Sequence, residues 1–197
     1  MVHYPISPVH NSVSMPPDDT SILHALRNPD TRDHGFRMLM KKYGEKLYWH
    51  VRRIVIGHED AEDVLQDSVL QIYNNISRFS GDDVQLRSWI YRIATNEALQ
   101  MLRRHTHLFQ SIDDLRPELI ERLRAEVSVE ASQPENLLQE ALLRLPTQQR
   151  LVFNMRYFDE MPYEDIAKVT GKRVGTLKTN YHFAKTKIEE YLKNHTL

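Results

Sequence analysis

Apolar residues recur at steps of three and four over most of the chain. Past Gly171 they fall at Val174, Leu177, Tyr181, Ala184 and Ile188, which is one stripe of an amphipathic helix. A shorter pattern from Tyr163 to Val169 precedes it, with Ile166, Ala167 and Val169 inward. Thr170-Gly171 separates the two, and a glycine there supplies the left-handed backbone that ends one helix and lets the next cross it. The pair predicts a helix-turn-helix. Upstream, Leu151, Val152, Met155 and Phe158 predict a helix from Thr147, and Pro134 opens another over residues 135–145. In the N-terminal half, Ile22, Leu23 and Leu26 predict a short helix over 18–27. Phe36, Leu39, Met40, Tyr43, Leu47, Val51 and Ile54 predict a long one from Pro29 to about Ile56, broken by Gly57. A third carries Val64, Leu65, Leu70, Ile72, Tyr73 and Ile76. After the polar loop that follows Phe79, a fourth carries Leu86, Trp89, Ile90, Ile93, Ala94 and Leu102.

The fold class expected from this pattern is all-α, with two small helical domains joined by a flexible linker and a helix-turn-helix at the C-terminal end. Residues 1–17 carry four prolines and no periodicity, and read as a disordered tail in which His3 and His10 have no chemical role. Residues 18–108 form the first domain, 109–134 an acidic linker with a helical turn or more near 117–127, and 135–197 the second domain. Charge is unevenly spread along the chain, whose net charge is -1. Residues 141–197 carry ten Lys and Arg against six Asp and Glu, while 113–140 carry three Arg against eight acids. Salt screens beyond about 8–10 Å, so local charge governs docking.

The faces opposite the apolar stripes hold the candidate chemistry. On the last helix, Lys172, Gly175, Thr176, Thr179, His182, Phe183 and Thr186 point outward. Lys178 and Lys185 border them on one edge, and Arg173, Asn180 and Lys187 on the other. Small hydrogen-bonding residues between basic borders suit a major groove, with the centre toward base edges and the borders toward phosphates. Phe183 is a poor choice for plain solvent and suits a thymine methyl or a partner protein. Asp60, Asp63, Gln66 and Asp67 share an outer side near the start of their helix. Acids there complement the helix dipole, and without a supporting His or glycine loop they suggest a docking surface rather than catalysis. Arg87, Trp89, Tyr91, Arg92, Asn96 and Arg103 interleave aromatics with arginines beside the Ser80–Gln85 loop, a mixture that can hold unpaired bases by stacking and charge.

Several classes are excluded. Cysteine is absent, so disulfides and thiolate zinc sites are ruled out, and a reducing cytoplasm is the expected setting. No apolar run reaches the roughly 18 residues of a membrane span, and no secretory signal pattern opens the chain. HExxH, P-loop, GxSxG and GxGxxG motifs are missing, and His105 and His107 stand two apart rather than four. No enzyme, metal or cofactor is expected.

Two segments then fall into one known arrangement. EDAEDVLQDSVLQIY, followed by Phe79-x-Gly81 and SWIYRIATNEALQMLRR, resembles region 2 of bacterial sigma factors. LLRLPTQQRLVFNMRYFDEMPYEDIAKVTGKRVGTLKTNYHFAKTKIEEYL resembles their region 4. The two in order, with only a short linker between, resemble the small extracytoplasmic-function (ECF) class of the sigma-70 family. The resemblance implies that Asp60, Asp63, Gln66 and Asp67 dock on the clamp helices of the RNA polymerase largest subunit, and that the C-terminal domain meets the polymerase flap region. It implies that Phe79, Ser80, Gly81, Asp82, Arg87, Trp89, Arg92, Asn96 and Arg103 engage and open the -10 element. It implies that Lys172, Arg173, Thr176, Lys178, Thr179, Asn180, His182, Phe183 and Lys185 read the -35 element of promoter DNA, and that an anti-sigma factor is a partner.

The chain departs from the family pattern at Pro162, where a capping Ser is usual. It departs again at Thr179-Asn180 and Phe183, where Ser-Arg and Arg are usual. The rival readings are a stand-alone helix-turn-helix regulator, which binds paired half-sites without polymerase, and a protein-interaction module with no DNA role.

Overall fold

Why the chain folds as two units is visible in which apolar stripes meet. The structure, a computed structural model, describes residues 17–105, 111–126 and 133–195. Its N-terminal unit comprises α1 (Asp19–Arg27), α2 (Arg32–Val55), α3 (His58–Asn75) and α4 (Asp83–His105). Helix α1 starts on Asp18, whose carboxylate accepts from the Ser21 N–H at 2.6 Å, a side-chain cap that satisfies one orphan donor of the first turn. Ile22, Leu26, Leu39, Leu47, Val51, Ile54, Ile72, Leu86 and Ile90 are buried between the four helices. The linker carries a 3-10 turn at Ile112–Leu115 and helix α5 (Arg116–Glu126). The C-terminal unit comprises α6 (Gln133–Leu143), α7 (Thr147–Tyr157), α8 (Tyr163–Thr170) and α9 (Val174–His195). The tail histidines His3 and His10, and the side chains of His105 and His107, lie outside the described residues.

Helix α2 ends at Val55, within a residue of the expected boundary, but Gly57 does not make the reversal. The reversal falls on Ile56, at φ 71° and ψ -49°, where the Gly57 N–H donates to the Val55 carbonyl at 2.9 Å. A β-branched residue at positive φ costs on the order of 1–3 kcal/mol, and burial of the Ile56 side chain holds it there. Gly57 is extended and leads into α3. Gly171 behaves as predicted: it is left-handed at φ 69°, and its N–H closes α8 on the Ala167 carbonyl at 2.9 Å.

The helical turn expected near 117–127 is realised as α5, and this part of the linker is packed. Leu115 and Leu119 are buried. Asp113 accepts from the Thr147 N–H at 2.8 Å and from the Thr147 hydroxyl at 2.6 Å, so the linker caps α7. Burial opposes ionisation of Asp113, but the Thr147 bonds and the charges of Arg116 and Arg150 hold its carboxyl below the ordinary value. Arg122 donates to Asp60 of α3 at 2.8 Å, and Arg124 to Glu140 of α6 at 3.0 Å. The strap therefore clips both units at once.

The two units also touch directly, α8 lying against α4 and α7 against α2. Apolar burial runs continuously from Ile54, Tyr91, Ala98 and Leu102 into Met155, Met161, Ile166 and Val169. A second cluster (Leu142, Leu145, Phe153, Ala184, Ile188) belongs to the C-terminal unit alone. There Phe153 stacks on Tyr181 at 5.6 Å and on Tyr157 at 5.2 Å, which seats α9 on α7.

Candidate nucleic-acid and polymerase interfaces

Helix α9 buries Leu177, Ala184 and Ile188 and turns the other side outward as its periodicity requires. Lys172, Arg173, Thr176, Lys178, Thr179, His182, Phe183 and Lys185 are all exposed, and Asn180 is half-buried. Helix α8 opens on Pro162 at φ -64° and ψ 152° with no side-chain cap bond. The ring presets the backbone where a Ser would have accepted a hydrogen bond. The helix-turn-helix pair is thus anchored by Ile166, Val169 and Leu177, and the outward face of α9 is open to solvent.

The loop before α4 is built around close approach. Phe79 and Trp89 lie 4.9 Å apart, centroid to centroid. A Cβ on Gly81 would come within 2.5 Å of the Phe79 ring, so only glycine lets the loop fold over it. Arg27 donates to the Gly81 carbonyl at 2.5 Å, and the Asp82 carboxylate accepts from the Gln85 N–H at 3.0 Å at the start of α4. Phe79, Trp89, Gln71, Asn75, Arg78 and Ile93 line an open cavity of about 290 Å³, large enough for a flat ring. Ser80, Asp82, Arg92, Asn96 and Arg103 are exposed, and Trp89 is half-buried.

Arg87 departs from this group. On α4 it lies on the side shared with Tyr91 and Ala94, facing the C-terminal unit, and its guanidinium donates to the Asp159 carbonyl. Asp159 follows α7 and is the centre of the contact between units. Its carboxylate is bonded to His50 Nδ1 at 2.6 Å and accepts from Arg53 at 3.3 Å. His50 Nε2 lies 2.9 Å from the Thr95 hydroxyl oxygen, and the Arg53 guanidinium sits 4.4 Å above the Phe158 ring. Burial pulls the Arg53 pKa down against the attraction of Asp159. Burial, reinforced by Asp159, pushes the Tyr91 hydroxyl up to about 12. Sequence reasoning did not find His50 or Asp159. His50 does occupy a slot of the buried α2 stripe, beside Leu47, Val51 and Ile54, and a polar residue on an apolar stripe was the available signal.

At the start of α3, Asp63, Gln66 and Asp67 are exposed, whereas Asp60 is half-buried beneath Arg122. Among the described residues no cluster of metal-ligating side chains forms, and no helix is long and apolar enough to cross a membrane.

Comparison with known proteins identifies the family. Residues 39–108 match Sigma-70 region 2, and residues 135–188 match Sigma-70, region 4. The chain is 31% identical over 166 residues to the ECF RNA polymerase sigma-E factor of Salmonella typhimurium, covering 79% of this chain and 85% of that one. It is 28% identical over 177 residues to the ECF RNA polymerase sigma factor SigW of Bacillus subtilis, covering 81% and 90%. Among solved structures, CnrH in complex with the cytosolic domain of CnrY aligns with a TM-score of 0.65 at 22% identity, covering 91% of this chain and all of that one. The sigma factor RpoE bound to the anti-sigma factor NepR from Bartonella quintana aligns at 0.61 and 20%, covering 80% and 96%. With both regions present in order and spanned by such relatives, the chain belongs to the sigma-70 family, in its ECF branch, and is a promoter-directing sigma factor rather than a stand-alone helix-turn-helix regulator.

Proposed function

We propose a division of labour between the two units. Helix α9 reads the -35 element from the major groove, with Thr176, Thr179, His182 and Phe183 toward base edges and Lys172, Arg173, Lys178 and Lys185 toward phosphates. The Phe79–Asp82 loop and the outward face of α4 (Trp89, Arg92, Asn96, Arg103) engage the -10 element, where the cavity beside Phe79 and Trp89 receives an unpaired base by stacking. Arg87 joins them once Asp159 releases it. Asp63, Gln66 and Asp67 dock on the clamp helices of the polymerase largest subunit, with Asp60 joining after Arg122 lets go, and the C-terminal unit meets the flap region. The protein catalyses nothing itself; the polymerase does the chemistry.

The observation that carries this reading is the exposure of a basic-bordered recognition face on a helix-turn-helix whose partner unit presents an aromatic cavity lined by Phe79 and Trp89. Two weakly specific modules become one strong reader when a third body fixes their separation, and polymerase is that body. An anti-sigma protein is the expected regulator, as the RpoE neighbour was solved with one. Run-off transcription on a library of genomic promoters, with core polymerase alone and with this protein, tests the proposal. Discrete transcripts that need both components are expected. Tight duplex binding at paired half-sites without polymerase, and no transcripts, would sink it.

A further inference from the structure

The outward face of α9 has a centre unlike its borders. Thr179 donates its hydroxyl hydrogen to the Gly175 carbonyl at 3.1 Å, and Thr186 donates to the His182 carbonyl at 3.2 Å. Both hydroxyl donors are therefore committed to the helix's own backbone, and each threonine brings to this face a methyl and an acceptor oxygen rather than a donor. Where a Cβ on Gly175 would stand there is open space, so the backbone can approach a groove floor closely. One turn after Thr179 stands Phe183, half of whose surface is exposed, with His182 beside it at 5.9 Å between ring centroids. The core contacts of this part of the helix come from Leu177, Ala184 and Ile188, so the ring is not needed to hold α9 in place. Forked or charged donors suited to guanine stand at the rims, as Arg173, Lys178 and Lys185, where phosphates lie.

In the major groove only thymine offers an apolar group, its C5 methyl. We infer that Phe183, together with the Thr179 methyl, selects thymine in the -35 element by methyl contact. This inference rests on the assignment of α9 to the -35 element. It names Phe183 as the specificity-determining residue of that helix. The Thr179 oxygen remains able to accept from an adenine N6 amino group on the neighbouring pair.

The test uses holoenzyme assembled from core polymerase and the full chain. Promoters are selected from a pool randomised across the -35 element, and each selected thymine is replaced singly by 2′-deoxyuridine, which removes only the methyl. At one or two positions the wild-type holoenzyme should lose about fourfold in promoter occupancy per methyl removed, the value of one buried methyl group. With Phe183→Ala, overall occupancy drops and the uridine effect at one of those positions vanishes. With Lys178→Ala, occupancy drops and the uridine effect persists. A pool selected with Phe183→Arg should carry guanine at that position. An unchanged uridine effect in Phe183→Ala, or no methyl-sensitive position in the wild type, overturns the inference while leaving the -35 assignment standing. If no pool member is transcribed by the holoenzyme at all, the assignment itself fails and the inference falls with it.

Discussion

Helix α9 holds Thr176, Lys178, Thr179, His182, Phe183 and Lys185 on a face exposed to solvent, whereas α4 divides its candidate residues between two sides. Trp89, Arg92, Asn96 and Arg103 look outward, but Arg87 and Tyr91 are engaged with the C-terminal unit through Asp159. The acidic patch is divided in the same way, since Asp60 is bonded to Arg122 of the strap while Asp63, Gln66 and Asp67 are open. In the proposed assignment, the -35 surface is therefore presented in full, and the -10 and polymerase surfaces only in part. On that assignment, polymerase and DNA contacts replace the Asp159 contacts as the N-terminal unit engages.

The largest expected effect comes from the centre of that contact. Asp159→Ala removes the carboxylate held by His50 and Arg53, while the backbone carbonyl to which Arg87 donates stays in place. Removing one partner of a buried charged cluster typically costs about 3–5 kcal/mol. Faster hydrogen exchange along α4 and α8 should report separation of the units, and a His50→Ala, Asp159→Ala double-mutant cycle should show strong coupling. Unchanged exchange in Asp159→Ala would show that the carboxylate is not what holds the units together.

Next is the open part of the acidic patch. Asp63→Arg with Gln66→Ala should weaken core-polymerase pull-down by roughly tenfold or more, about 1.4 kcal/mol, with an unchanged circular dichroism spectrum. Both side chains are exposed, so folding is not at issue.

A smaller effect distinguishes the borders of α9 from its centre. Lys178→Ala with Lys185→Ala should weaken promoter binding on all sequences alike and lower the salt dependence by about one phosphate contact for each lysine. A change of sequence preference in place of this uniform loss would move those lysines from phosphates to bases.

The smallest effect is at the strap. Asp113 has a depressed pKa when folded. Its contribution to holding the linker on α7 is therefore complete above its ordinary value near 3.8 and is lost as pH falls through the lower folded value. Asp113→Asn should remove that part of the acid limb of a denaturation profile and leave the neutral region only slightly less stable. An identical acid limb in the variant would show that Asp113 carries none of it.

Much of the fold was legible because amphipathic periodicity is a local property: the stripes of α2, α7 and α9 carry their own burial instructions, and Gly171 its own turn. The α9 surface was legible for the same reason, since its face is fixed by the helix it stands on. What escaped was non-local. Nothing around Asp159 signals that His50, 109 residues earlier, will meet it, and Arg87 looked equivalent to Arg92 until Asp159, in the turn after α7, supplied a neighbour. Ile56 escaped because Gly57 stood beside it with the ordinary turn chemistry, and only core burial explains why the strained residue is the isoleucine. The strap was readable in charge but not in pairing: its acids dominate the count, yet Arg122 and Arg124 are the residues that clip it to both units.

The most direct test of two units acting on one promoter is permanganate reactivity of thymines across the -10 element, read beside protection of the -35 element on the same DNA. Holoenzyme containing this protein should open the -10 thymines and protect the upstream element together. Lys178→Ala with Lys185→Ala should reduce both signals, and Arg92→Ala with Asn96→Ala should abolish opening while upstream protection remains. Opening that needs no upstream contact, or upstream protection at full strength without polymerase, would contradict the account.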